Sequence, residues 1–240
     1  MGDAKQLEQP PWSALTSTHA ALALGNALAR RYPPDIAPMA GIRDVSPACL
    51  DALAALMKPD NVVGLFSAEP VPANGDLVVV GHKMIEQMIY QGREILPAMG
   101  EHVPLTPADI SEAEELVALT KPGPFARRTI MLGSYIGVRD GGQLVAMAGE
   151  RMRFDGFTEI SAVCTHPDHR GRGHAFRLVS ALMQSILARG ETPFLHIYSD
   201  NAGAAVLYRK LGFRHRRSLT VTVLKSTVRW RSVEGGTTAK

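Results

Sequence analysis

The chain has 240 residues and a mass of 25.9 kDa, enough for one large domain or two small ones. With 45% apolar and 20% charged residues it can bury a core, which excludes wholesale disorder. No apolar run approaches the ~20 residues of a membrane-crossing helix. The opening residues lack the apolar stretch of a secretory signal, and Gln6 stands where a myristoylation signal needs Ser or Thr. Cys49 and Cys164 make neither a disulfide framework nor a cysteine-rich metal site. The expectation is a cytoplasmic protein with no membrane partner. Its net charge of +3 is unevenly spread. Residues 151–240 hold 15 Lys and Arg against 6 Asp and Glu, whereas residues 1–150 hold 11 against 17. The basic part calls for an anionic partner, nucleic acid or a phosphorylated small molecule, unless it is merely a solvated face.

Ten prolines punctuate the first hundred residues, which read as short elements joined by turns. The clearest element is a helix over Pro47–Met57: Ser46 caps it, Pro47 suits its first turn, and Leu50, Leu53, Ala54 and Met57 share a face. Asn61–Phe66 and Leu77–Val80 read as buried strands and Lys83–Tyr90 as a helix. From Gly100 the pattern sharpens. Thr106-Pro107-Ala108-Asp109 predicts a capping box, followed by Ile110, Ala113, Leu116 and Val117 at helical spacing. Ile130–Val138, Leu144–Phe154 and Thr158–Thr165, joined by Asp140-Gly141-Gly142 and Asp155-Gly156, predict a three-stranded meander. A helix with Leu178, Val179, Leu182, Met183, Ile186 and Leu187 on one face stops at Gly190. Strand Phe194–Tyr198, helix Asn201–Leu211 and strand Leu219–Leu224 complete a mixed α/β order.

Between the meander and the long helix lies His166-Pro167-Asp168-His169-Arg170-Gly171-Arg172-Gly173-His174-Ala175. Glycines let backbone approach an anion, first-turn amides point at it, and Arg170 and Arg172 add charge. The stretch is neither a dinucleotide fingerprint nor a Walker loop, since both spacings fail. An ordinary strand-to-helix turn is the plain alternative. The wider pattern decides between them. Val163-x-x-His166-Pro167-x-x-Arg170-Gly171-x-Gly173-x-Ala175, then Asn201 and Leu207-Tyr208-x-x-x-Gly212-Phe213, resembles the GNAT superfamily of acyl-CoA-dependent N-acyltransferases. Ala175 stands where a glycine is commoner. The match spans about residues 103–225; the first hundred residues resemble, weakly, the degenerate first half of glycine N-acyltransferase-like members.

The resemblance implies an α/β GNAT fold, a central mixed and mostly antiparallel sheet flanked by helices. It divides the chain into an N-terminal α/β lobe (1–102), the acyltransferase domain (103–228) and a tail (229–240). It further implies that acetyl-CoA, or another short acyl-CoA, is the co-substrate and that a primary amine of a small molecule or peptide is the acceptor. Arg170, Gly171, Arg172, Gly173, His174 and Ala175 would hold the pyrophosphate. Val163, Cys164 and Thr165 would pair through backbone with the pantetheine arm, Asn201 would bond that arm, and Tyr208 would be the general acid. Glu159, 11 residues before Arg170, matches the separation of the strand glutamate in histone-acetylating members and is the candidate base; a solvent-facing glutamate is the alternative.

His166, His169 and His174 lack the spacing of a metal motif, so no metal is expected. Cys164 reads better as a buried thiol than as a nucleophile, and His196 as a core residue rather than a base. Arg209, Lys210, Arg214, Arg216 and Arg217 lack interleaved aromatics and read as a solvated basic face near the cofactor's phosphates, with no nucleic-acid partner. The acceptor is open. The acidic first part would suit a cationic amine or basic peptide, whereas a carboxylate-bearing acceptor would want an arginine, which Arg127 or Arg128 could supply. A non-catalytic acyl-CoA-binding module is the alternative function.

Overall fold

The computed structural model describes residues 3–92 and 100–227. Along the chain run α1 (Pro10–Thr16), β1 (Leu24–Gly25), β2 (Ala29–Arg31), β3 (Ala40–Ile42), α2 (Pro47–Ala55), β4 (Val62–Ser67) and β5 (Leu77–Tyr90). There follow β6 (Val103–Pro104), α3 (Ile110–Thr120), β7 (Tyr135–Asp140), β8 (Gln143–Phe154) and β9 (Phe157–Thr165). The last elements are α4 (His174–Ala188), β10 (Thr192–Tyr198), α5 (Ala202–Lys210) and β11 (Phe213–Ser226). Short 3-10 turns punctuate them, one at Thr129–Leu132 where the sequence predicts the start of a strand.

Eight strands form one sheet in the order β4-β11-β5-β10-β9-β8-β7-β6, and β1-β2-β3 form a small second one. Every pair in the large sheet is antiparallel except β9 and β10. Alternation along β8 sends Ala146 and Ala148 to one face, under Leu178, Leu182 and Ile186 of α4, and Met147 to the other, under Ala113 and Leu116 of α3. Ala14 and Leu15 of α1 join a third cluster with Met152, Phe154, Phe157 and Phe194. The predicted caps are present. Ser46 accepts from the Cys49 amide, and Thr106 and Asp109 form a reciprocal box. Gly190, at φ +75°, closes α4 with Gly190 N–H to Leu187 and Glu191 N–H to Ile186, a Schellman turn.

One element changes type. Lys83–Tyr90 is the second half of a 14-residue strand, not a helix. Lys, Met, Glu and Gln favour helix only weakly, and here β10 and β11 satisfy the backbone from both sides. The large sheet draws strands from both sides of residue 102. β4 and β5, from the expected N-terminal lobe, flank β11, and β5 lies between β10 and β11. The tail 229–240 lies outside the described residues.

Candidate active site

β9 and β10 pair only over Phe157–Glu159 and Thr192–Phe194. Beyond that point β10 turns its other edge to β5, and β9 continues along β8. The bend has a local cause. β9 shifts register against β8 between Met147 and Gly149, and Ala162 inside the shift has φ +53°. An L-residue held there costs on the order of 1–3 kcal/mol, a strain characteristic of bulges beside functional sites. Residues 160–165 therefore have no strand partner on the β10 side among the described residues. The wedge opens into a cavity of about 280 Å³ whose walls include Ala162, Val163, His196, Asn201 and Tyr208.

After β9 the chain makes a 3-10 turn, Pro167–His169, and enters the glycine loop. Gly171 and Gly173 have φ of +77° and +78°, and a Cβ on either would meet no atom of the described residues within 4 Å. Gly173 is the N-cap of α4, and among the described residues no side chain caps that end. The first-turn amides of a 15-residue helix thus face an open cradle beside the exposed Arg170 and Arg172. Such a donor set fits a pyrophosphate. His169 Nε2 lies 3.2 Å from Asp140, and His174 Nδ1 accepts from Arg177 at 2.8 Å. Among the described residues no three His, Cys, Asp or Glu side chains stand together as a metal site.

Cys164 is buried, and burial pushes its thiol up to about 11, against weaker opposing bonds from Thr120 and Met147. Thr165 is half-buried. Asn201 caps α5, its Oδ1 accepting the Ala204 amide at 3.1 Å, and it lines the cavity. Tyr208 is 7% exposed and packs edge-on against Phe213. Burial, with Cys164 nearby, pushes its phenol well above the ordinary range, so the hydroxyl keeps its proton.

Glu159 is neither solvent-facing nor placed as a base. Its side chain is 0% exposed and takes a bidentate bond from Arg151, at 2.7 and 2.6 Å, and a third from His196 Nδ1 at 2.7 Å. Burial alone would raise its pKa, but Arg151 and His196 outweigh it and hold the carboxyl down at about 2. Such a group takes no proton at neutral pH. His196 has no open nitrogen either. Its Nδ1 donates to Glu159 and its Nε2 meets Gln87 Nε2 at 3.1 Å. The Gln87 amide is oriented by Arg216, which donates to its Oε1, and by its own bond to the Leu7 carbonyl.

Arg128 pairs with Asp35 at 3.0 Å on the surface, and neither it nor Arg127 lines the cavity. Among the described residues, the charged side chains that do are Arg151 and Lys83, which the sequence did not single out. In the basic stretch, Arg216 donates to the Ala4 carbonyl and Arg217 lies 3.4 Å from Glu8, so part of this face docks the N-terminal segment rather than solvent.

Residues 135–222 match the family model described as FR47-like protein. The chain is 36% identical to the N-alpha-acetyltransferase RimI of Mycobacterium tuberculosis over 121 residues, which are 46% of this chain and 75% of that protein. It is 30% identical over 197 residues to a Mycobacterium leprae protein, ML0378, 76% of this chain and 45% of that one. A GNAT-family protein from Novosphingobium aromaticivorans superposes with a TM-score of 0.84 at 37% identity, covering 92% of this chain and 99% of its own. A GCN5-related N-acetyltransferase from Kribbella flavida shares the fold, with a TM-score of 0.63 at 16% identity, 95% of this chain and 97% of its own. With this sheet order, wedge and cradle, the chain belongs to the GNAT family of N-acetyltransferases.

Proposed function

We propose that the protein transfers acetyl from acetyl-CoA directly to a primary amine of a small molecule or peptide. The observation that carries this reading is the wedge between β9 and β10, with an unpaired strand edge on one side and Tyr208 in its wall. Acetyl-CoA supplies a thioester whose carbon–sulfur bond breaks as the amine's carbon–nitrogen bond forms. Backbone amides of Gly171–Ala175, with Arg170 and Arg172, hold the pyrophosphate. Val163, Cys164 and Thr165 offer strand-edge groups to the pantetheine amides, and Asn201 offers its NH2. A backbone N–H on that edge stabilises the negative charge that develops on the carbonyl oxygen. Tyr208 gives its proton to the departing sulfur.

The amine must arrive without its proton, since an ordinary alkylamine with a pKa near ~10 is mostly charged at neutral pH. Among the described residues no carboxylate lines the cavity, and both nitrogens of His196 are occupied. The amine loses its proton to solvent, and Glu159 acts as a positioning residue for Arg151 and His196. A single-turnover assay with acetyl-CoA and an amine panel tests the reading. Free CoA thiol should appear in step with acetylated amine. Binding of acetyl-CoA without acetylation of any amine would leave the non-catalytic acyl-CoA-binding module in its place.

A further inference from the structure

We infer that the acceptor is a small amine that also carries a carboxylate, held by Arg151 and Lys83 in the cavity beside the wedge. The inference rests on the N-acyl transfer reading above and deepens it. Two of the three guanidinium nitrogens of Arg151, Nε and Nη2, are committed to Glu159. The third, Nη1, has no hydrogen-bond partner among the described residues, and Arg151 lines the cavity. Lys83 lines the same cavity with its ammonium 5.0 Å from the centre of the Tyr198 ring, and no carboxylate pairs with it among the described residues.

Among the described residues the lining therefore presents two cationic donors and no Asp or Glu. Arginine and lysine only donate, so what they can bind is an acceptor of hydrogen bonds, best an anionic one. A polycationic amine or basic peptide would meet Lys83 and the outward donor of Arg151, with no carboxylate among the described lining residues to receive its charge. The cavity, about 280 Å³, also takes the thioester end of the cofactor, so the space left for the acceptor suits only a small molecule. The apolar remainder of the wall, including Met39, Phe66 and Val221, would take an uncharged side chain. Glu159 fixes the guanidinium plane, so the carboxylate meets a donor that is already oriented. An amino acid is the simplest molecule that meets these demands.

Binding is read apart from turnover by titrating the proteinogenic amino acids and their amides, pair by pair, into the CoA-loaded protein. Within each pair that binds, the carboxylate should bind at least about tenfold tighter than its amide, as expected where a site's donors are left unpaired. Lys83→Met should narrow that ratio several-fold. Removing Arg151 alone would strand Glu159, so the guanidinium is removed in the double variant Arg151→Met/Glu159→Gln, which should narrow the ratio several-fold while still melting cooperatively, and adding Lys83→Met should abolish it. Amides binding as tightly as the acids, or no amino acid binding at all, would overturn the inference. Carboxylate-selective binding without acetylation of any member would instead overturn the transfer reading and leave the anion site standing.

Discussion

The Glu159–Arg151–His196 cluster makes a prediction that separates structure from catalysis at one residue. Glu159→Gln replaces one carboxylate oxygen by an NH2, which must face a donor from Arg151 or from His196. It also leaves the Arg151 guanidinium, only 12% exposed, without its counter-ion. Breaking a buried pair from one side costs about 3–5 kcal/mol. For a domain of this size each kcal/mol moves the melting temperature by about 2–4 °C, so the variant should melt about 6–20 °C lower. Arg151→Met/Glu159→Gln should recover part of that loss, because it removes the stranded charge and keeps an oxygen for His196. Calorimetric melts of the parent and both variants give the answer. A general base would behave otherwise: turnover would drop by roughly 10²–10⁴-fold, the acidic limb of the pH–rate profile would flatten, and stability would hardly change. That pattern would falsify the positioning role.

Tyr208→Phe keeps the ring against Phe213, so CoA affinity should hold while turnover drops by about 10²–10⁴-fold; undiminished turnover on a confirmed acceptor removes Tyr208 as the acid. Gly173→Val puts a branched side chain into the open cradle at φ +78°, and calorimetry should show CoA affinity falling severely while the fold survives. Acid unfolding should proceed in two windows. Burial lowers His19 from 6.5 to about 4, so the stability it confers is complete above pH 6.5 and is lost as pH falls toward 4. Glu159, lowered from 4.5 to about 2, gives way below that, between pH 4.5 and 2. His19→Gln should erase the upper window alone in urea titrations across pH. A chain shortened to residues 103–228 should fail to fold, because β10 and β11 lose the strand that lies between them; a cooperative melt of that fragment would contradict the sheet order.

Much of this site is legible in the sequence where one residue type has one local job. The apolar stripe of α4, its glycine stop and the glycine loop before it depend on neighbours within a few positions, and so do the caps at Ser46 and Thr106. What escapes is decided at long range. β5 hides behind helix-favouring residues because its partners arrive more than a hundred positions later. Arg151 and Glu159 meet across the Asp155-Gly156 hairpin, but a register shift between Glu150 and Arg153 breaks the count that would pair them. The same pairing explains why Glu159, placed by spacing as a base, is a buried anchor. Lys83 was obscured with its strand.

The position of β5 also governs the order in which this protein can be assembled. The Val71 amide donates to the Thr222 hydroxyl, 151 positions away, and Leu77 pairs with Ser226 at the end of the β5–β11 ladder. During synthesis β4 and β5 leave the ribosome long before either of their sheet neighbours exists. Val62, Val78, Val80 and Met84, still exposed in the finished fold, are then part of open strand edges that can pair with other chains. The large sheet closes only when β11 has been made, so the wedge and the cradle become one rigid site in a late, non-local step. High contact order of this kind makes folding slow and puts the nascent first half, rather than the loop that carries the chemistry, in need of protection.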